Sequence, residues 1–193
     1  RGHATYMPYP STKAMKADGQ RYDKPWLEPT GANYLSLNGT WKLRWSEGPK
    51  PVLLGKDDFW GDGVSTEGSA WNDINVPSCL EMNGYGEPMY VNVEYPFEDR
   101  QPYIRMKAGL KNSVGSYRRD FNLPEGWENK RVFLHFDGIY SAAYVYVNGN
   151  EVGYTEGANN VSEFDITKYV RTGKNNVAVQ VIRWSDGSYL EGQ

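Results

Sequence analysis

The stretch SAAYVYVNGNEVGYTEG, residues 141–157, restricts the fold more than any other part of the chain. Asn148-Gly149 is the pair that a two-residue type I′ turn favours, because both residues tolerate φ > 0. Apolar runs flank the pair on either side, so the segment is predicted to be a β-hairpin. Further strand signals surround it. LNGTWKLRWS alternates Trp41, Leu43 and Trp45 against Lys42 and Arg44, which predicts a strand with one wet face. WNDINVP is a short strand ending at Pro77. GSYRRDFNLP sets Tyr117, Arg119 and Phe121 opposite Arg118 and Asp120, and NNVAVQVIRWS sets Val177, Val179 and Val181 opposite Ala178 and Gln180. RVFLHFDG is apolar at nearly every position, which predicts a central strand covered on both faces. SEFDITKYV is a short strand or turn. Sustained helical periodicity, internal repeats and low-complexity tracts are missing from the pattern. Many short strands separated by turn signals predict an all-β jelly-roll sandwich.

The rest of the chain is less regular. Residues 1–36 read as an extended, irregular N-terminal arm, since Pro8, Pro10, Pro25 and Pro29 interrupt regular elements. Residues 37–193 form the sandwich domain. Within it, residues 47–70, rich in Gly, Asp and Pro, are expected to be a long solvated loop. NGYGEPMYVNVEYPF reads as a turn followed by extended chain, and residues 97–113 as another loop.

Composition excludes several function classes. The net charge of −3 offers no basic field for nucleic acid. No apolar run approaches the roughly 18 residues that span a membrane. The single cysteine, Cys79, rules out an internal disulfide framework and leaves a cytoplasmic and a periplasmic home equally open. Aromatic residues make up 15% of the chain, with 15 Tyr and 7 Trp. They suit a β core, and they also suit carbohydrate, whose apolar faces stack on rings.

Catalytic constellations are weak. There is no Gly-rich phosphate loop and no nucleophile elbow. His3 lies in the arm, and His135 reads as a satisfied, partly buried strand residue. Cys79 reads as a small buried side chain. Glu163 and Asp165 share a strand face, but Asp165 reads as a turn or cap residue before ITKYV. Asp186, in Trp-Ser-Asp-Gly at a strand end, has two readings: an Asx-turn bonding its own backbone, or an exposed acceptor for sugar hydroxyls or a hard cation. Residue chemistry alone favours the turn.

Taken in order, LNGTWKLRW, VPSCLEMNGYGEPMYVNVEYPF, GSYRRDFNLP, FDGIYSAAYVYVNGNEVGYTEG, SEFDITKYV and RWSDGSYLEGQ resemble the N-terminal sugar-binding domain of the large bacterial β-galactosidases of glycoside hydrolase family 2. VNGNEVGY is shared with the family's β-mannosidases and β-glucuronidases; YVNVEYP and RWSDGSYLE look specific to the β-galactosidase branch. The chain departs from the family at Pro77-Ser78-Cys79-Leu80, where Pro-Ser-Asn-Trp is usual. The resemblance implies a galactose-binding-like jelly roll. It further implies that Asn92 and Asp186 bind the terminal galactose of a β-galactoside, and that Asp186 contributes to a sodium site. The catalytic glutamates would lie in a downstream TIM barrel, reached through an immunoglobulin-like domain, of a homo-oligomeric parent that uses sodium and magnesium. No cofactor is expected in this chain itself. The resemblance also places the sandwich's last strand beyond Gln193, so an unpaired sheet edge is expected. A free-standing carbohydrate-binding module, stacking sugar on Trp184 or Tyr189, and a purely structural prop are the other two readings.

Overall fold

The computed structural model describes residues 6–48, 58–92 and 94–190. The chain divides into two compact units, His3–Asn38 and Gly39–Gln193.

The first unit is more ordered than its prolines imply. Two short helices, α1 (Thr12–Ala17) and α2 (Gln20–Asp23), occupy the proline-free stretch between Pro10 and Pro25. Ser11 caps α1 by accepting from the Ala14 amide at 3.1 Å. Asp18 then ties the unit together. Its carboxylate accepts from the Tyr9 hydroxyl at 2.5 Å, the Thr30 amide at 2.9 Å and the Thr30 hydroxyl at 2.8 Å. His3 lies outside the described residues.

The second unit is a two-sheet, open sandwich of the jelly-roll kind. Its strands are β1 (Gly39–Ser46), β2 (Asn72–Val76), β3 (Val114–Leu123), β4 (Phe133–Phe136), β5 (Ala142–Val147), β6 (Asn150–Glu156), β7 (Ser162–Asp165) and β8 (Gly173–Ile182). The larger sheet has the antiparallel order β2-β1-β3-β8-β5-β6, and the smaller pairs β4 with β7. β5 and β6 form the predicted hairpin. Asn148 and Gly149 take φ values of 48° and 78°, as the type I′ turn requires. Asn148 also donates to the Tyr169 carbonyl and the Asn175 side chain, both at 2.8 Å, so the turn is anchored to the chain entering β8.

The central strand is β8, with β3 and β5 on its flanks, and not the apolar RVFLHFDG run. Among the described residues β4 pairs with β7 alone, and Phe133 is half-exposed. Apolar content marks β4 as core-facing but carries no information about how many neighbours it has. Trp41, Leu43, Ile74, Val145, Val147, Val177 and Val179 are buried on one face of the large sheet. The two sheets meet where Phe164 of β7 lies on Gly153 of β6: a Cβ at Gly153 would sit 2.6 Å from the ring.

The other face of the large sheet is wet only in part: Lys42 pairs with Asp73 at 2.7 Å in the open, while the Arg44 end is covered. Residues 58–71 fold back over the covered part. Phe59 and Trp71 are buried there with Tyr146 and Ala178, and Trp60 stacks on Tyr146 at 4.9 Å. Arg118, itself buried, donates to the carbonyls of Phe59 and of Gly61, the latter at 3.0 Å. Arg44 lies 5.3 Å over the Trp71 ring, and Arg171 grips Asp62 with two hydrogen bonds of 2.7 and 3.1 Å. The described part of this loop is therefore a cover, held by arginines and aromatic rings. Residues 49–57 lie outside the described set. Cys79 is exposed, not buried: it stands in the turn after β2, where its carbonyl accepts from Asn83 at 2.8 Å.

Candidate functional site

β8 ends at Ile182, and the next residues are fixed before the chain turns. Asn112 bonds both backbone groups of Trp184, its side chain donating to the carbonyl and accepting from the amide at 2.9 Å each. Arg183 donates to the Glu87 carbonyl at 2.8 Å and pairs with Glu81 at 3.2 Å. The chain then enters a 3-10 helix, Asp186–Tyr189. Its N-terminus is closed by a reciprocal capping box between Ser185 and Ser188, and Ser141 joins the two hydroxyls at 3.2 and 3.3 Å.

An Asx bond from Asp186 is not what closes this turn. The serines perform the capping that an Asx-turn would have drawn from the aspartate, and Asp186 is exposed at the first position of the helix. Its carboxylate is left open to solutes. A sequence of Ser-Asp-Gly-Ser cannot show which side chain caps the turn, because each has the right chemistry.

Asn92 is also exposed, and its side chain donates to the Tyr90 hydroxyl at 2.5 Å. Val93 lies outside the described residues. The segments that carry Asn92 and Asp186 share one aromatic cluster. Phe97, Trp184 and Tyr189 form its buried centre, and Met89, Val91, Tyr95, Ile104 and Met106 pack against them. Tyr95 stacks on Phe97 at 5.1 Å, and Phe97 meets Tyr189 edge-on at 4.8 Å. The Tyr95 hydroxyl donates to the Tyr189 carbonyl at 2.7 Å, and the Tyr189 hydroxyl donates to the Glu98 carbonyl at 2.5 Å. The residues flanking Asn92 and those flanking Asp186 are thus seated on the same rings. Trp184 and Tyr189 are buried in doing so, at 5% and 7% exposure, and present no open face for a sugar to stack on.

Side chains that the sequence did not single out complete the surroundings. Glu156, at the end of β6, lies beside the turn: a Cβ on Gly187 would meet its Cγ and Cδ at 3.7 Å. It accepts from the Tyr154 hydroxyl at 2.5 Å. Burial first, then this bond and the Glu156 charge, push the Tyr154 phenol well above its ordinary range, with smaller contributions from Tyr144 and Asp186. Tyr140 packs edge-on against Trp184 at 6.0 Å. The missed signal is the register of β5, β6 and β8, which brings residues 140 and 156 to the end of β8.

Elsewhere, His135 and Asp165 are engaged structurally. His135 bonds Glu163 at 3.3 Å and Asp137 at 3.2 Å, as a satisfied strand histidine should. Asp165 caps the following turn by accepting from the Thr167 hydroxyl at 2.5 Å. Among the described residues no group of three or more His, Cys, Asp or Glu side chains converges on a metal position. No helix among the described residues is long and apolar enough to cross a membrane.

Residues 34–193 match the family described as glycosyl hydrolases family 2, sugar binding domain. The chain is similar to a β-galactosidase of Priestia megaterium, 37% identical over 195 residues that cover all of this chain and 18% of that protein. A β-galactosidase of Photobacterium profundum is 42% identical over 162 residues, 84% of this chain and 15% of that protein. The chain thus spans less than a fifth of the length of these relatives. Among solved structures it is similar to a β-glucuronidase from Ruminococcus gnavus in complex with D-glucuronic acid. That match has 26% identity and a TM-score of 0.54, and covers 81% of this chain and 23% of that one. With the sandwich, the hairpin and the strand-end turn all in place, the chain belongs to the sugar-binding domains of glycosyl hydrolase family 2.

Proposed function

We propose that the chain is the N-terminal domain of a retaining exo-β-galactosidase, and that Asp186 and Asn92 position a terminal β-D-galactoside for a catalytic barrel downstream. The observation that carries this reading is the exposed Asp186 carboxylate, which Ser185 and Ser188 relieve of capping, in a segment whose Trp184 and Tyr189 share an aromatic cluster with Val91, the neighbour of Asn92. A carboxylate and an amide held on a rigid base suit a polyhydroxylated ring, whose hydroxyls donate to the first and both donate to and accept from the second. Their contribution is orientation. Bond cleavage needs a separate pair of carboxylates about 5 Å apart, one acting as nucleophile and one as acid/base. The galactoside assignment is supported by the β-galactosidase relatives at 37% and 42% identity. A sodium ion at this corner would take one ligand from Asp186 and the remainder from outside this chain. The β-glucuronidase of similar structure supports a second reading, the same domain in a glucuronidase.

The test uses the full-length protein that carries this chain, assayed on nitrophenyl β-galactoside, β-glucuronide and β-mannoside with and without sodium. The expected result is preference for the galactoside, strengthened by sodium. Asp186→Ala should lower kcat/KM about 100-fold, the scale of a lost positioning contact, and abolish the sodium response. Asn92→Ala should lower it less. Preference for the glucuronide would move the chain to the second reading. Full activity in Asp186→Ala would remove that residue from the site.

A further inference from the structure

We infer that residues 58–71 form a strap that lifts off the large sheet as one unit while the sandwich stays closed, and that the Asp62–Arg171 pair is its latch. The strap adds no strand to either sheet. Its own backbone is closed by short turns: the Gly61 amide donates to the Asp58 carbonyl at 2.8 Å, and the Trp71 amide to the Gly68 carbonyl at 3.3 Å. β8 meanwhile keeps its ladders with β3 and β5, and its other face is buried in the core through Val177 and Val179. These ladders do not pass through the strap. A segment held by side chains, and not by a ladder, opens at lower free energy than the strands beneath it.

What lies beneath the strap favours opening. Arg118 is buried, and its Nε has no hydrogen-bond partner. Its guanidinium is met from the strap by two neutral carbonyls, those of Phe59 and Gly61. A cation kept from water in this way regains hydration when the strap lifts, which offsets part of what exposing Phe59 and Trp71 costs. The stack of Trp60 on Tyr146 and the latch oppose it. Arg171 reaches Asp62 with two bonds, a fork on a carboxylate. Arg171 is itself fixed, its amide donating to the Asn175 side chain at 2.9 Å and its Nε to the Lys174 carbonyl at 3.0 Å. The strap's backbone rests on the hairpin turn at the same residue: a Cβ on Gly149 would lie 3.0 Å from the Asp62 amide nitrogen. Asp62 is therefore where the strap touches both the β5–β6 turn and the chain entering β8.

The experiment uses the full-length protein and introduces one cysteine at a time on β8, reading its alkylation by iodoacetamide from the mass of the peptide that carries it. Ala178 is buried against the strap's rings, and the adjacent Val179 is buried in the core on the opposite face. Ala178→Cys should react faster than Val179→Cys, because lifting the strap uncovers the first and only opening of the sandwich uncovers the second. Arg171→Ala should speed the reaction of Ala178→Cys about 3- to 5-fold, the upper range for an exposed ion pair, and leave Val179→Cys unchanged. Asp62→Asn should give the same acceleration, and the two changes together no more than either alone. Equal rates at the two positions would mean that the strap has no opening of its own. Acceleration at both positions would mean that Arg171 holds the sandwich, and acceleration at neither that it holds nothing. Acceleration by Arg171→Ala but not by Asp62→Asn would trace the effect to the Lys174 bond. Any one of these results overturns the proposal.

Discussion

The Asp165 carboxylate accepts from the Thr167 hydroxyl at 2.5 Å and amide at 3.1 Å, and meets Arg131 at 2.7 Å. The Thr167 hydroxyl first, and then Arg131, hold its pKa down at about 2. A carboxylate depressed in the folded state stabilises the fold above its unfolded value of about 4, and that contribution disappears as pH falls through the folded value. The destabilisation caused by Asp165→Asn should therefore be constant from neutral pH to about 4 and shrink toward zero by about 2. Paired urea titrations of the two proteins across this range would show it, and a gap independent of pH would mean that Asp165 is not ionised in its cap. The role of Asp165 was legible because Asp-Ile-Thr supplies acceptor and donor within three residues. Asp186 was not legible in the same way. Its freedom depends on Ser188, a competing cap inside the same turn, and on Ser141, 45 positions away in sequence, which braces that cap. Cys79 was misread for a related reason: burial of a turn residue is decided by what folds over it, and among the described residues Cys79 is left exposed.

Among the elements, local pattern gave the strands reliably and their neighbours less so. The Asn148-Gly149 hairpin and the alternation in β8 encode turn type and face directly, since both depend on residues adjacent in sequence. The cover formed between β1 and β2 could not be read this way. Gly, Asp and Pro mark irregular backbone, but the loop's burial comes from Phe59, Trp60 and Trp71 meeting Tyr146 across the sheet and from Arg118 below them. The packing of one sheet on the other has a sharper test. A Cβ on Gly153 would lie 2.6 and 2.8 Å from two atoms of the Phe164 ring, closer than side chains tolerate. Gly153→Ala should destabilise the chain by about 1–3 kcal/mol, the range for overpacking a filled core. Adding Phe164→Leu should recover part of that loss, because the smaller side chain vacates the collision. Urea denaturation of the single and double variants measures both terms. Additive losses would mean that β6 and β7 do not meet at this point.

For the molecule as a whole, the question is whether this chain could perform hydrolysis unaided. Most acidic side chains near a basic partner are committed to it: Asp62 to Arg171, Asp120 to Lys174, Asp165 to Arg131, and Glu163 to His135. Among the described residues, Glu156 lies beside Gly187, the residue that follows Asp186. Both carboxylates are exposed. A retaining mechanism asks one carboxyl group to stay protonated as the acid while its partner stays ionised as the nucleophile, and that separation is produced by an apolar pocket around the first. Exposed as they are, Glu156 and Asp186 do not stand in such a pocket. We therefore expect the 193-residue chain alone to release no nitrophenol from nitrophenyl β-galactoside, while the full-length protein does. Turnover by the chain that survived repurification and vanished in both Glu156→Gln and Asp186→Ala would make this pair catalytic. Its absence, together with loss of activity when Asp186→Ala is made in the full-length protein, would leave Asp186 as a group that holds the sugar while carboxylates elsewhere break the bond.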